Sequence, residues 1–302
     1  LAASWWSLRV PASSANLGPG FDALGLALDI PLTVRYRLSR ELVIHATGRD
    51  SESIPPGENN LIWQTALKVA SEQGRALPAV EMEIHNEIPI GRGLGSSASA
   101  LVAGVVIANQ LLGLGWDDHR VLDEAARIEG HPDNVAACVL GSMVASAIDA
   151  QGTARAVRLE LPDWCGVSVI VPDFILPTSE ARQVLPTVYS KADTIFNVQR
   201  AALMIAALCT GAREAFPTAL EDRLHQPYRE RLVPGLAEIL RLRLPGLLGC
   251  ALSGAGPSVL VFYERGSEGV CVSVARVFED RGHRAEILPA PIAKTGYRLI
   301  EE

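Results

Sequence analysis

Apolar and polar side chains alternate over residues 32–38, 42–46 and 80–88, the period of half-buried strands. A short apolar strand over 8–12 runs into a Gly-rich turn, NLGPGFD. The period lengthens to that of a helix over 60–73, with Asn59 or Asn60 as its cap. A strongly apolar helix is expected over about 97–112, and another over 117–128 opened by Asp117 or Asp118. EGHPDN (129–134) starts a short third helix near Asp133, and 143–148 with 154–161 read as paired strands.

Past residue 162 the order changes. Strands are expected over 166–171, 248–252, 258–263 and 284–288, and helices over 192–209, 233–243 and 268–281. With one helix set aside, this is β-α-β-β-α-β, the order of a ferredoxin-like unit. The whole is α+β, with a boundary near 162–164 and no flexible linker, repeat or low-complexity segment.

Composition narrows the function. Of 302 residues, 48% are hydrophobic and 20% charged, which is globular and large enough for a substantial core. A net charge of −7 with no Lys/Arg-rich run argues against nucleic acid as a partner. The longest apolar stretch, 101–112, contains Asn109 and Gln110 and is too short to cross a bilayer. Five scattered cysteines without metal-ligand spacing suit reduced thiols, and a cytoplasmic location is expected. No charged-then-apolar leader opens the chain, and its start at Leu1 leaves room for missing native residues.

Three glycine segments carry the chemistry. The first in strength is Pro89-Ile90-Gly91-Arg92-Gly93-Leu94-Gly95-Ser96-Ser97-Ala98-Ser99. Three closely spaced glycines free the backbone, two serines supply hydroxyls, and a helix then begins with unpaired N–H groups and a positive dipole end. That suits a phosphate, although GxxxxGK[ST] is absent. The plainer reading is a tight turn with a Ser cap. The second segment, VPASSANLGPGFD (10–22), brings backbone close to something and offers Asn16 and Asp22; an Asx-capped turn would serve as well. The third, GCALSGAGPS (249–258), is on its own an ordinary loop between two strands.

In this order the three segments resemble the motifs of the GHMP kinases (galactokinase, homoserine kinase, mevalonate kinase, phosphomevalonate kinase), over roughly residues 8–263. Arg92 departs from the small residue usual there. The resemblance implies an α+β two-domain fold. Residues 1–162 would form the ribosomal-protein-S5-domain-2-like, ATP-binding half, and residues 163–302 the ferredoxin-like half. It implies ATP as phosphoryl donor, held by the loop from Pro89 to Ser99 with Asn60 near the adenine. It further implies Ser97 and Glu129 as contacts of Mg²⁺, and Thr178 near the γ-phosphate.

Within the family, VPASSANLGPGFDALGLAL, EGHPDN, PTSEAR (177–182), HQPYRERLVP (225–234) and GCALSGAGPS resemble the homoserine kinases. The implied substrate is L-homoserine, and the implied reaction a step towards threonine. Arg182 and Arg229 would clamp the carboxylate, Asp22 would hold the ammonium, and Asn16 and His131 would line the pocket. Plainer roles exist for each: a solvated helix face for Arg229, a helix start for His131, a cap for Asp22. Asn134 stands where mevalonate-type members carry an Asp base, and an amide cannot take a proton as a base does. It would orient the substrate hydroxyl, with the proton leaving to phosphate or water. Another small alcohol as substrate, or an inactive nucleotide-binding protein, remain the rival readings. The Arg182/Arg229/Asp22 trio favours an amino acid over a sugar, and intact Ser97, Glu129 and glycines favour an enzyme. Exposed strand edges are compatible with a homodimer.

Overall fold

The computed structural model describes residues 4–302. β1 (Trp6–Asn16) and β2 (Gly20–Leu38) form a long antiparallel hairpin, followed by β3 (Val43–Gly48), α1 (Leu61–Glu72) and β4 (Val80–Asn86). Three helices come next: α2 (Ser96–Leu112), α3 (Asp118–Glu129) and α4 (Asp133–Leu140). β5 (Met143–Ile148) and β6 (Ala154–Leu159) close this half. Its sheet runs β3-β4-β2-β1, with β5 also paired to β2 and β6 to β5; only the β3–β4 pair is parallel.

The first part of β2 is a strand where only 32–38 was expected to be one. Its run from Leu24 to Leu28 is buried on both faces, so no alternation marks it. The ladder with β1 shifts register at Pro11/Ala12, opposite Pro31 and Leu28. Proline has no N–H to give, and the strand bends there.

α2 is apolar on every side and correspondingly buried, from Leu101 through Ala108. It packs against α1, α3, α4 and β1. Burying it fixes its N-terminus, and with it the serines of the glycine loop.

The second half contains β7 (Cys165–Pro172), α5 (Thr178–Gln183), α6 (Lys191–Thr210), α7 (Phe216–Ala219), α8 (Gln226–Arg229) and α9 (Leu236–Arg241). β8 (Leu247–Leu252), β9 (Val259–Glu264), α10 (Val270–Glu279) and β10 (Ala285–Pro289) follow. The antiparallel order β10-β7-β9-β8 is that of a ferredoxin-like sheet. The helix expected over 233–243 is shorter, because Pro234 and Gly235, the latter at φ +86°, precede its start.

β11 (Arg298–Glu301), which the sequence pattern did not suggest, adds to β1 in the first sheet. The chain crosses between the halves twice, once through 160–164 and again through 290–297. Among the described residues no helix is long and apolar enough to cross a membrane.

Candidate active site

The three glycine segments meet. Ser253 Oγ, in the 249–258 segment, donates to the Gly93 carbonyl of the 89–99 segment at 2.7 Å and lies 2.8 Å from Ser14 Oγ of the 10–22 segment. The backbone N–H of Ser13 donates to the Leu94 carbonyl. A Cβ on Gly93 would fall 2.3 Å from the Ser253 carbonyl, so that glycine is required by close approach as well as by its φ of +78°.

Gly95, at φ +67°, caps α2 with no side chain to offer. A 17-residue helix therefore opens with first-turn N–H groups that no cap satisfies. Ser96, Ser97 and Ala98 of that turn line a cavity of about 280 Å³. The same cavity is lined by Asp22, Glu129, His131, Asn134, Arg182 and Arg229. Thr178, the first residue of α5, and Asn16 also line it. The expected Ser cap is absent, and the phosphate-facing reading of the loop keeps its donors.

A second, largely apolar cavity of about 200 Å³ lies on the other side of the loop, sharing Ile90, Ser96 and Ser97 with the first. Ile54, Ile62 and Ile84 supply its walls and Asn60 stands at its edge. The Asn60 amide is engaged by the protein: Oδ1 caps α1 at the Ile62 N–H and Nδ2 donates to the Pro55 carbonyl.

Three residues of the 89–99 segment face elsewhere. Ser99 is fully buried and donates to the Pro11 carbonyl at 2.8 Å. Arg92 reaches away to the Pro172 carbonyl at 2.8 Å. Pro89 is the third, and none of the three lines either cavity.

Arg229 is 2% exposed and no solvated face. Its Nε donates to the Ala181 carbonyl at 3.1 Å, and Nη1 to the Gly254 carbonyl at 3.0 Å and to His225 Nδ1 at 3.1 Å. Nη2 has no protein partner among the described residues. Burial, with the nearby Arg182 charge, brings this guanidinium down to about 10, still cationic at neutral pH. Arg182 pairs with Asp22 at 2.9 Å, and Phe21 lies beneath both arginines. Asn16 is at φ +72°; its Nδ2 donates to the Gly254 carbonyl and its Oδ1 accepts from the Asp22 N–H.

Close to Asp22, His131 Nδ1 lies 2.7 Å from Asp133 Oδ1 and its Nε2 lies 3.9 Å from Glu129. Burial pushes the Glu129 carboxyl up, and the Asp133 charge adds to this against the pull of His131 and Arg182. Burial works against a charge on His131, but its hydrogen bond to Asp133, with the charges of Asp133 and Glu129, holds the imidazole above its usual value. Asp22, His131 and Asp133 bring three ligand atoms within 4.8 Å, yet Asp22 is paired to Arg182 and His131 to Asp133. Asn134 Oδ1 accepts from Ser13 Oγ at 2.9 Å, while Nδ2 makes only a long 3.5 Å contact with Asp133 Oδ1 and keeps a donor for the cavity. Ser13, Phe21, Asp133 and His225 were missed in the sequence as site residues. Each stood inside a motif already quoted: Ser13 and Phe21 in VPASSANLGPGFD, Asp133 in EGHPDN and His225 in HQPYR.

The GHMP kinases N terminal domain profile matches residues 60–142, and the GHMP kinases C terminal profile residues 204–280. A homoserine kinase of Solibacter usitatus is 64% identical over 98% of this chain and 97% of its own length. One of Deinococcus radiodurans is 48% identical over 87% and 86%. The crystal structure of homoserine kinase from Cytophaga hutchinsonii matches at a TM-score of 0.86 and 27% identity, covering 98% of both chains. Galactokinase from Lactococcus lactis shares the fold at 14% identity and a TM-score of 0.69. By sequence, fold and site, then, this chain belongs to the GHMP kinase family, among its homoserine kinases.

Proposed function

We propose that the chain transfers the γ-phosphate of ATP to the side-chain hydroxyl of L-homoserine, giving O-phospho-L-homoserine. One observation carries this reading: a single cavity is lined both by an uncapped helix N-terminus and by the Arg182/Arg229/Asp22 trio. The first suits phosphates, and the second suits a zwitterion. The adenine would occupy the apolar cavity behind Ser96 and Ser97, with its phosphates crossing the loop into the polar one.

Homoserine offers Asp22 and Arg182 replacement partners, its ammonium for the carboxylate and its carboxylate for the guanidinium. Arg229 adds a desolvated second cation through Nη2. Ser97 and Glu129 suit Mg²⁺: both offer oxygen to the same cavity, and among the described residues Glu129 has no Lys or Arg ion pair. When bound, that ion would neutralise charge on the β- and γ-phosphates.

Asn134, its Oδ1 taken by Ser13, presents Nδ2–H to the substrate hydroxyl oxygen and orients a lone pair towards phosphorus. It accepts no proton, so the hydroxyl proton passes to the transferred phosphate or to water. Transfer then rests on positioning and charge, as phosphoryl transfer generally does.

An ADP-release assay with Mg²⁺ tests the reading, with L-homoserine, mevalonate and galactose supplied singly. Release with homoserine alone is expected. Turnover of mevalonate or galactose in its place would keep the phosphate loop and remove the roles given to Arg182, Arg229 and Asp22.

A further inference from the structure

His225 is fully buried, one residue before α8, and does not line the cavity. Its ring stacks on Phe21 with centroids 5.3 Å apart and planes at 23°. Its Nε2 lies 2.7 Å from the Gly18 carbonyl, and its Nδ1 lies 3.1 Å from Arg229 Nη1. These partners fix the tautomer. A guanidinium only donates, so Nδ1 must be a bare acceptor; a carbonyl only accepts, so Nε2 must carry the proton. Asp222, 3.5 Å from Nε2, is already an acceptor for the backbone N–H groups of Leu224, His225 and Gln226. Burial lowers the imidazole's tendency to take a second proton, which agrees with the neutral ring.

The ring thus ties two parts of the site that are far apart in sequence. Gly18 belongs to the 16–22 turn that carries Phe21 and Asp22. Arg229 reaches Gly254, whose carbonyl also takes the Asn16 amide. The loop from Asn16 through Gly254, Arg229 and His225 back to Gly18 is closed by hydrogen bonds.

We propose that His225, as the neutral Nε2–H imidazole, is the positioning residue that aims Arg229 at the substrate carboxylate. Its role concerns affinity for the amino acid and leaves ATP and the chemical step alone. This rests on the homoserine reading above, and its test separates the two.

The variants His225→Gln and His225→Asn divide the imidazole's two functions. Gln can place an N–H where Nε2 sits and keep the Gly18 bond. Asn can place Oδ1 where Nδ1 sits and keep the acceptor for Arg229. His225→Gln is expected to raise KM for homoserine about tenfold or more, the loss of one hydrogen bond to a charged group. Its KM for ATP and its kcat should stay within about twofold of the parent. His225→Asn should recover most of the homoserine KM. Equal KM in His225→Gln and the parent overturns the proposal. So does a rise in both KM values with a matching loss of Tm in the two variants, which marks a purely structural residue. A third measurement stands apart from the substrate: the ¹⁵N spectrum of the His225 ring at neutral pH. An unprotonated Nδ1 with a protonated Nε2 is expected, and a doubly protonated ring or the reverse tautomer overturns the assignment even if the parent proves inactive on homoserine.

Discussion

Glu129 ends α3 with only 19% of its side chain exposed, and among the described residues its one ion-pair contact is His131 at 3.9 Å. Burial raises its carboxyl above the ordinary range. A carboxyl raised in the folded state favours folding below its unfolded value, and that benefit is lost as pH rises through the folded value. Once ionised, Glu129 therefore opposes folding. Glu129→Gln should raise Tm at pH 7, with the gain fading as pH falls below the carboxyl range. It should also lower kcat on the order of 10²-fold, as losing a preorganised charge does. Calorimetry and the ADP assay read the two effects, and a Tm loss at neutral pH would show that the carboxylate is held by a favourable partner instead. The same contrast explains what the sequence displayed at this scale. Arg229 sits among Glu230, Arg231 and other charges, and only the fold reveals it as buried and bonded to two carbonyls. His131 and Asp22 are both half-buried and line the cavity, His131 bonded to its near neighbour Asp133 and Asp22 to the distant Arg182.

α2 serves the site from its N-terminal end alone. Both terminal glycines are left-handed, Gly95 at φ +67° and Gly113 at φ +59°. A Cβ on Gly95 would fall 2.1 Å from Ser13 Oγ and 3.1 Å from Asn134 Oδ1, whereas one on Gly113 meets nothing within 4 Å. Gly113→Ala should cost about 1 kcal/mol for its left-handed backbone and leave the kinetics unchanged. Gly95→Ala carries that strain and a clash, about 1–3 kcal/mol, and it should raise KM for ATP and lower kcat because Ser13 releases Asn134. Equal kinetics in the two variants would separate the loop from the site. α2 was legible without a period, because an apolar run of this length with Gly at both ends leaves few alternatives. β2 was half legible, since its buried first part has no alternation to read. α5, α7 and α8, each of four to six residues, are too short to show a period.

At the scale of the molecule, the segment after β10 laces the halves together. Asp29 N–H donates to the Pro291 carbonyl, Ala293 N–H to Ala27, Ser142 N–H to Ala293 and Tyr297 N–H to Cys138. Gly296 packs so close that a Cβ would lie 1.9 Å from the Val139 carbonyl. β11 then covers the edge of β1. A single unfolding transition is expected, with calorimetric and van't Hoff enthalpies equal. Gly296→Ala should lower its midpoint by roughly 2–6 °C without splitting it. Two transitions in the parent chain would mean that the halves unfold separately.

The sequence by itself determined the α+β class, the order of most elements, the three glycine motifs and the chemical character of the site. Hydrophobic period and backbone requirements are local properties, and a motif such as PIGRGLGSSAS carries its constraint within eleven residues. Only the tertiary structure decided that Ser253 joins all three motifs, that Ser13 turns the Asn134 amide towards the cavity, and that His225 holds Arg229. It also decided that the last strand returns to the first sheet. Those contacts span up to about 290 residues of chain. Their hydrogen-bond direction and burial depend on which surfaces the packed helices and sheets bring together, and no local pattern records that.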